Sequence, residues 1–248
     1  MSTRRFLVSL ALLGVVGLVA GTDCTSEVID ALLAGSGGGS NEPEPGPPAE
    51  PPGPEPTFPR VRISVEYTAS SGDRVRGNFV IELNDELAPI STANFLKYLD
   101  AGFYDNTVFH RADSGLGVVQ GGGFVVDEER MEEPEEEEDE FKSQPLKLKP
   151  VLYDPIENED INGQRNLRGS VGVARTADPD SGTSQWYVNT RDNLGLDPTG
   201  AARGYAVFGQ VVGGLSIVDE IQALPVEARD DLLNVPVHTV LLLTAERI

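Results

Sequence analysis

Two alternating runs, RVRISVEYTA (60–69) and NFVIELN (78–84), constrain this chain more than any other feature. In the first, Val61, Ile63, Val65 and Tyr67 share one face. In the second, Phe79, Ile81 and Leu83 do the same. A period of two places every second side chain on one side of a pleated strand and cannot stripe a helix. The intervening SSGDRVRG supplies a turn, so an antiparallel hairpin with one buried face is expected.

Strand-length segments recur downstream: TVFHR (107–111), NLRGSVGVARTADPD (166–180, a strand and then a loop), SQWYVNT (184–190), GYAVFGQVV (204–212) and VHTVLLLTAERI (237–248). Only two segments have helical spacing. Pro89 opens ISTANFLKYLDAG, where Ser91 or Thr92 can cap, Phe95, Leu96 and Leu99 share a face, and Gly102 ends the helix. LSIVDEIQAL (215–224) aligns Leu215, Val218 and Ile221. Many short strands, turn signals and two helices predict a mainly β fold, an antiparallel barrel or sandwich.

Nothing before Phe58 can join that sheet. SGGGSNEPEPGPPAEPPGPEP (36–56) is flexible where it is Gly/Ser-rich and extended where it is Pro/Glu-rich, so 24–58 is expected to be a linker and 59–248 the folded domain. Before it, Arg4 and Arg5 precede FLVSLALLGVVGLVA (6–20), fifteen apolar residues. That is short of the about twenty a membrane span needs, and it predicts a signal peptide over 1–23 and a protein exported to the periplasm or cell envelope. Cys24 is the single cysteine, so no intramolecular disulfide is expected. Its place after the signal leaves two readings open. Acylation would make it a lipid anchor, the chain's single link to a membrane. Asp23 before it, where a small residue is usual, favours plain cleavage.

A net charge of −21 excludes nucleic acid as a partner. Residues 127–140 (DEERMEEPEEEEDE) hold eleven acids and one arginine, within an expected acidic loop insertion over 127–150. The run lacks the spaced ligands and turn glycine of a calcium loop, so a solvated loop is the better reading.

The familiar catalytic patterns are missing. His110 and His238 have no metal-ligand spacing, no G-x-S-x-G occurs, and Gly121–Gly123 lack the Lys-Ser/Thr of a phosphate loop. What remains is Arg111, Gln120, Arg175 and Gln185 among aromatics. Taken alone, Arg111 reads as the partner of an acid rather than a catalytic group, Gln120 as a substrate contact or a plain turn residue, and His110 as structural. Trp186 and Tyr187 must point to opposite faces of a strand, which places Trp186 in the core.

Three motifs in order carry a resemblance: FHR…VQGGGF (109–124), GSVGVARTADPDSGTSQWYVN (169–189) and GYAVFGQVVGG (204–214), with PIENEDINGQRN (155–166) between the first two. Together they resemble the bacterial branch of the cyclophilin-type peptidyl-prolyl cis–trans isomerases, from about Val61 to the C-terminus. The resemblance implies a closed eight-stranded antiparallel β-barrel capped by two α-helices, a monomer, and no metal or cofactor. It implies an isomerase that assists the folding of exported proteins, acting on proline-containing unfolded or extended polypeptides, and a cyclosporin-type ligand for the same site.

The implied chemistry follows from the amide. Resonance holds the X–Pro bond planar behind a barrier of about 18–20 kcal/mol. In the twisted form the nitrogen lone pair leaves conjugation, and a donor aimed at it favours that form over either planar one. A guanidinium stays protonated and directional. By family position Arg111 is that donor and Gln120 holds it and the substrate backbone. Leu116 and Val118, Tyr187, and Leu196 with Tyr205 enclose the proline ring. Arg175, Thr176 and Ala177 line the groove for the preceding residue, and the three glycines let the chain turn beneath the substrate.

Two departures stand out. From Arg111 to Gln120 there is one step more than the family usually has, the extra residue falling near Leu116–Gly117. Gly195 stands where an apolar ring is common. Losing two ring faces would cost about 1 kcal/mol or more of binding. This predicts a weakened isomerase, with a proline-peptide binding module or holdase as the alternative.

Overall fold

The computed structural model describes residues 58–131, 144–200 and 202–248. The expected signal peptide, nearly all of the linker, Cys24 and residues 132–143 lie outside the described residues. Among the described residues, no helix is long and apolar enough to cross a membrane.

The opening hairpin forms as its alternation requires. Strands β1 (Arg60–Thr68) and β2 (Arg74–Leu83) pair antiparallel in unbroken register from Arg60↔Glu82 to Thr68↔Arg74. Val61, Ile63, Val65, Phe79, Ile81 and Leu83 are all buried. Helix α1 (Pro89–Asp100) begins with proline in its first turn, and Gly102, at φ 64°, closes it. Its cap is not local: Glu159 accepts the N–H groups of Ile90 (3.0 Å) and Ser91 (2.7 Å) and the Ser91 hydroxyl. A carboxylate at a helix N-terminus satisfies orphan donors and meets the positive end of the dipole.

The strands that follow are short: β3 (Thr107–Val108), β4 (Arg111–Asp113), β5 (Val118–Gly121), β6 (Phe124–Val126), β7 (Leu146–Leu148), β8 (Ser170–Val173), β9 (Trp186–Asn189) and β10 (Val207–Gly213). Helix α2 (Leu215–Gln222) buries Val218 and Ile221. A hairpin, β11 (Val226–Arg229) and β12 (Leu232–Pro236), precedes the last strand, β13 (Leu241–Arg247). Its turn seats Asp230 at φ 50°.

Eleven strands form one antiparallel sheet in the order β4-β5-β9-β8-β10-β2-β1-β13-β3-β6-β7, curled into a half-barrel with β4 and β7 as its edges. The expected closed eight-stranded barrel is therefore corrected in both closure and strand count. TVFHR does not run as one strand. It breaks at Phe109–His110, where Phe109 bonds back to Val240 and His110 forward to Gln120. Phe109 turns its ring into the core against Trp186, 5.6 Å between centroids. The β13 ladder consequently continues through β3, while β4 pairs with β5 alone.

Trp186 is buried in that core, edge-on to Phe95 and Tyr104 as well as Phe109. The segment expected as one acidic loop, 127–150, contains β7. Lys147 of that strand meets Asp127 at 3.2 Å, and Arg229 of β11 donates to the Gln144 carbonyl.

Candidate active site

Strand register builds the site. Arg111 of β4 is the ladder partner of Gln120 on β5, Gln120 of Tyr187 on β9, and Tyr187 of Gly172 on β8. Four strands thus present one row on the face opposite the core, while their alternate residues Ala112, Val119, Trp186, Val171 and Val173 are buried behind it. Gly172 is what lets the row stay flat: a Cβ there would stand 2.4 Å from the Tyr187 Cζ and hydroxyl.

Arg111 is aimed by two neighbours. Its Nη2 donates to Asp113 Oδ2 at 2.6 Å, and its Nη1 lies 3.5 Å from Gln120 Oε1. Burial raises the Asp113 pKa, but the Leu116 N–H at 2.9 Å and the Arg111 guanidinium outweigh it and hold the carboxyl below its ordinary value. Asp113 thereby ties the arginine to the β4–β5 turn that carries Leu116 and the extra residue. Gln120 donates through Nε2 to Gln185 Oε1 at 2.9 Å, which leaves its carbonyl directed at Arg111. Pairing with an acid and facing the cavity prove compatible for this arginine.

Beside the row is a cavity of about 160 Å³ lined by Arg111, Leu116, Val118, Gln120, Ala174, Arg175, Tyr187, Leu196 and Tyr205. Tyr187 forms its floor, edge-on to Tyr205 with 6.2 Å between centroids. The Tyr187 hydroxyl donates to Asn166 Oδ1 at 2.7 Å. Burial, with Tyr205 and Asp197 nearby, raises its pKa well above the ordinary phenol value, so it remains a donor. Arg175 packs its guanidinium 4.2 Å from the centre of the Tyr205 ring and donates to the Gly204 and Arg203 carbonyls. His110 lies directly behind Arg111. Burial and then the Arg111 charge depress its pKa to about 4, which keeps it neutral and makes it a structural neighbour.

Residues 65–245 match the family model described as "Cyclophilin type peptidyl-prolyl cis-trans isomerase/CLD". The chain belongs to this family. The cyclophilin is 39% identical over 170 residues to peptidyl-prolyl cis-trans isomerase A of Dickeya dadantii, covering 68% of this chain and 79% of that one. It is 37% identical over 151 residues to peptidyl-prolyl cis-trans isomerase B of Escherichia coli, covering 60% and 80%. Its fold matches a crystal structure of a Cryptosporidium parvum cyclophilin type peptidyl-prolyl cis-trans isomerase at TM-score 0.54 and 18% identity, over 77% of this chain and 98% of that one. A second structure of the Cryptosporidium protein, in the presence of the dipeptide Ala-Pro, matches at TM-score 0.50 and 17% identity, over 73% and 96%.

Eight of the ten residues expected at the cyclophilin's site line the cavity. Thr176 and Ala177 do not. The cavity wall ends at Ala174 and Arg175, and the chain then enters an exposed loop closed on itself, with the Thr176 N–H donating to Ser181 Oγ at 2.9 Å. Two of the three glycines also make room for a neighbouring segment. Gly122, at φ 80°, lies where a Cβ would be 2.7 Å from the Ser184 carbonyl, and one on Gly123 would meet Gln185 at 2.5 Å. They admit the β9 segment against β5 and so position Gln185. Asp113, Ala174 and Gly172 escaped the sequence reading as site residues, and Gln185, named among the remaining polar groups, was given no role. Asp113, two positions after Arg111 on one strand and hence on the same face, carried a readable signal.

Proposed function

We propose that this cyclophilin isomerises X–Pro bonds in exported polypeptides as they fold, with Arg111 donating to the nitrogen of the twisted amide. The observation that carries the reading is the Arg111–Gln120 ladder pair at the mouth of a cavity floored by Tyr187. Asp113 holds Nη2 and Gln120 Oε1 lies near Nη1, so the guanidinium plane is fixed at the cavity. The planar amide nitrogen has no available lone pair, whereas the twisted one does. The interaction therefore grows toward the top of the barrier, which is the condition for catalysis. No bond to the enzyme is made or broken. Gln120 has its carbonyl toward the arginine and its amide nitrogen braced by Gln185. Val118, Leu116, Leu196 and Tyr205 exclude water from the proline ring. A proline-containing dipeptide is the smallest ligand expected here, and a cyclosporin-type ligand would compete for the same cavity.

Arg111→Ala is expected to lower kcat/KM in a proline-limited refolding assay by about 10²-fold or more, the scale of removing one aimed donor. The partly exposed side chain makes the fold tolerant of the change. Equal activity of variant and wild type would overturn the mechanism. Gly195 favours a second reading, a binding module without turnover, because a wall position is empty: a Cβ there meets nothing within 4 Å. Peptide binding without any acceleration of refolding is its signature.

Export through residues 1–23 completes the proposal. At Cys24, acylation or plain cleavage is decided by fatty-acid labelling in the native cell, where label on wild type and none on Cys24→Ser means an anchor.

A further inference from the structure

At its Leu196 side the proline cavity neighbours a further groove across the 3-10 turn Leu194–Leu196. One turn back, Leu194 is 45% exposed, and it borders a groove of about 390 Å³ whose far rim is Ile161. Ile161 is 80% exposed. It also lines the next groove, of about 440 Å³, together with Leu87 and Ile90 at the start of α1, both at least 40% exposed. Single exposed aliphatics are ordinary, but a contiguous run of them marks an interaction surface.

Local folding does not require this run. The segment that bears Ile161 is fixed by its polar residues alone. Asp160 holds Arg203 and accepts the Gly204 N–H, Glu159 caps α1, Asn162 donates to the Val207 carbonyl, and Asn166 is held by Asp197. Amid these anchors the Ile161 side chain projects outward and contributes nothing to the core.

The geometry points to a docking band, Leu194–Ile161–Leu87/Ile90, that receives an apolar stretch of the same polypeptide whose proline occupies the cavity. The inference rests on the reading of that cavity as the prolyl site. Continuity identifies the occupant, because the one-turn 3-10 helix Leu194–Leu196 gives a residue to the cavity and a residue to the first groove, and Ile161 is shared by both grooves. A chain leaving the cavity on this side meets Leu194 and then Ile161 as its exposed aliphatic contacts in the first groove. The substrate class is accordingly an unfolded segment with Leu, Ile or Phe several residues from its proline. A short prolyl tetrapeptide would fill the cavity alone.

The test uses the purified protein with two readouts: turnover of a prolyl tetrapeptide, and fluorescence anisotropy of a labelled fifteen-residue peptide carrying one proline and an apolar cluster at varied spacing. Wild type is expected to bind best at one spacing. Ile161→Ser should weaken the long peptide about fivefold and Ile161→Ser with Leu87→Ser about tenfold or more, the scale of leaving exposed aliphatics unburied. Tetrapeptide turnover should be unchanged. Equal losses on both substrates, or none on either, would overturn the band. Wild type without turnover but with Ile161-dependent binding would sink the enzymatic reading and leave the band standing. Self-association in sedimentation that Ile161→Ser abolishes would assign the surface to a second copy of this chain and overturn the proposal.

Discussion

On one wall of the cavity, Arg111, Gln120 and Tyr187 stand opposite one another in a strand ladder. On the other, Leu196 hangs from a single 3-10 turn beside Gly195, whose Cβ position is empty. The first wall is over-determined. Each polar group has a ladder neighbour and a side-chain partner, so position and orientation come from separate constraints. The second is set by loop backbone, chiefly the Tyr205 N–H donating to the Leu196 carbonyl at 2.9 Å and Asn193 to Asn166 at 2.7 Å. Directional chemistry needs the first kind of construction. Enclosing a ring needs only surface, and a loop can supply or withhold it.

The largest way to break the held wall is from behind. His110 is buried with its pKa depressed to about 4, against 6.5 in an unfolded chain. Between those values the unfolded state binds more protons. The contribution is full above pH 6.5 and is lost as pH falls toward 4, at a cost of about 3 kcal/mol. Asp113 titrates below its ordinary value and weakens the fold only at still lower pH. Denaturant midpoints at pH 7 and pH 4.5 should differ accordingly for wild type, and the difference should shrink in His110→Gln. An unchanged pH slope in that variant would assign the loss to other groups.

Next in size is a pair of glycine substitutions with opposite signs. Gly172→Ala puts a Cβ 2.4 Å from the Tyr187 ring. Overpacking at a site fixed on both sides costs about 1–3 kcal/mol, and kcat/KM should drop roughly tenfold as the floor shifts. Gly195→Phe meets empty space at a position without positive φ. It should leave stability unchanged and lower KM about fivefold, the worth of about 1 kcal/mol of recovered apolar area. A fall in melting temperature for Gly195→Phe, or none for Gly172→Ala, would erase the distinction between the walls.

Much of this is legible in the sequence. The alternation at 60–69 and 78–84 determined which face of the first hairpin is buried, because a period of two admits one answer. Trp186 and Tyr187 were separable for the same reason. The resemblance located eight cavity residues, since those lie on strands whose register the motifs preserve. Thr176 and Ala177, expected along the groove for the preceding residue, lie in a loop after a strand, where no periodicity fixes which way a side chain faces. Glu159 as the α1 cap and Gly172 under Tyr187 depend on contacts between distant segments, which local pattern does not encode. The β11–β12 hairpin was missed although VEARDDLLNVP alternates weakly about Asp230–Asp231. β11 is charged and partly exposed, and β12 buries only Val235 and Pro236, so the segment lacks the long apolar alternation that made the first hairpin plain. Barrel closure failed at one dipeptide, Phe109–His110, where burial of an aromatic ring won over strand continuity.

The smallest effect expected is also the one that joins the two walls. Tyr187 donates to Asn166, whose backbone carbonyl accepts the Asn193 N–H at the head of the turn bearing Leu194–Leu196. Asn166 Oδ1 accepts a second bond from Asn189 at 3.1 Å, so Tyr187→Phe leaves it partly satisfied. The loss should be about 1 kcal/mol of stability, with tetrapeptide turnover within about twofold of wild type because the ring remains. The informative measurement is the cycle with Gly195→Phe. If the Tyr187–Asn166–Asn193 path positions the loop wall, the KM gain from Gly195→Phe should be smaller in the Tyr187→Phe background than in wild type, since neighbours in one network do not add. Full additivity would show that the loop wall is set by its own backbone bonds, and that the hydroxyl serves only the floor it stands on.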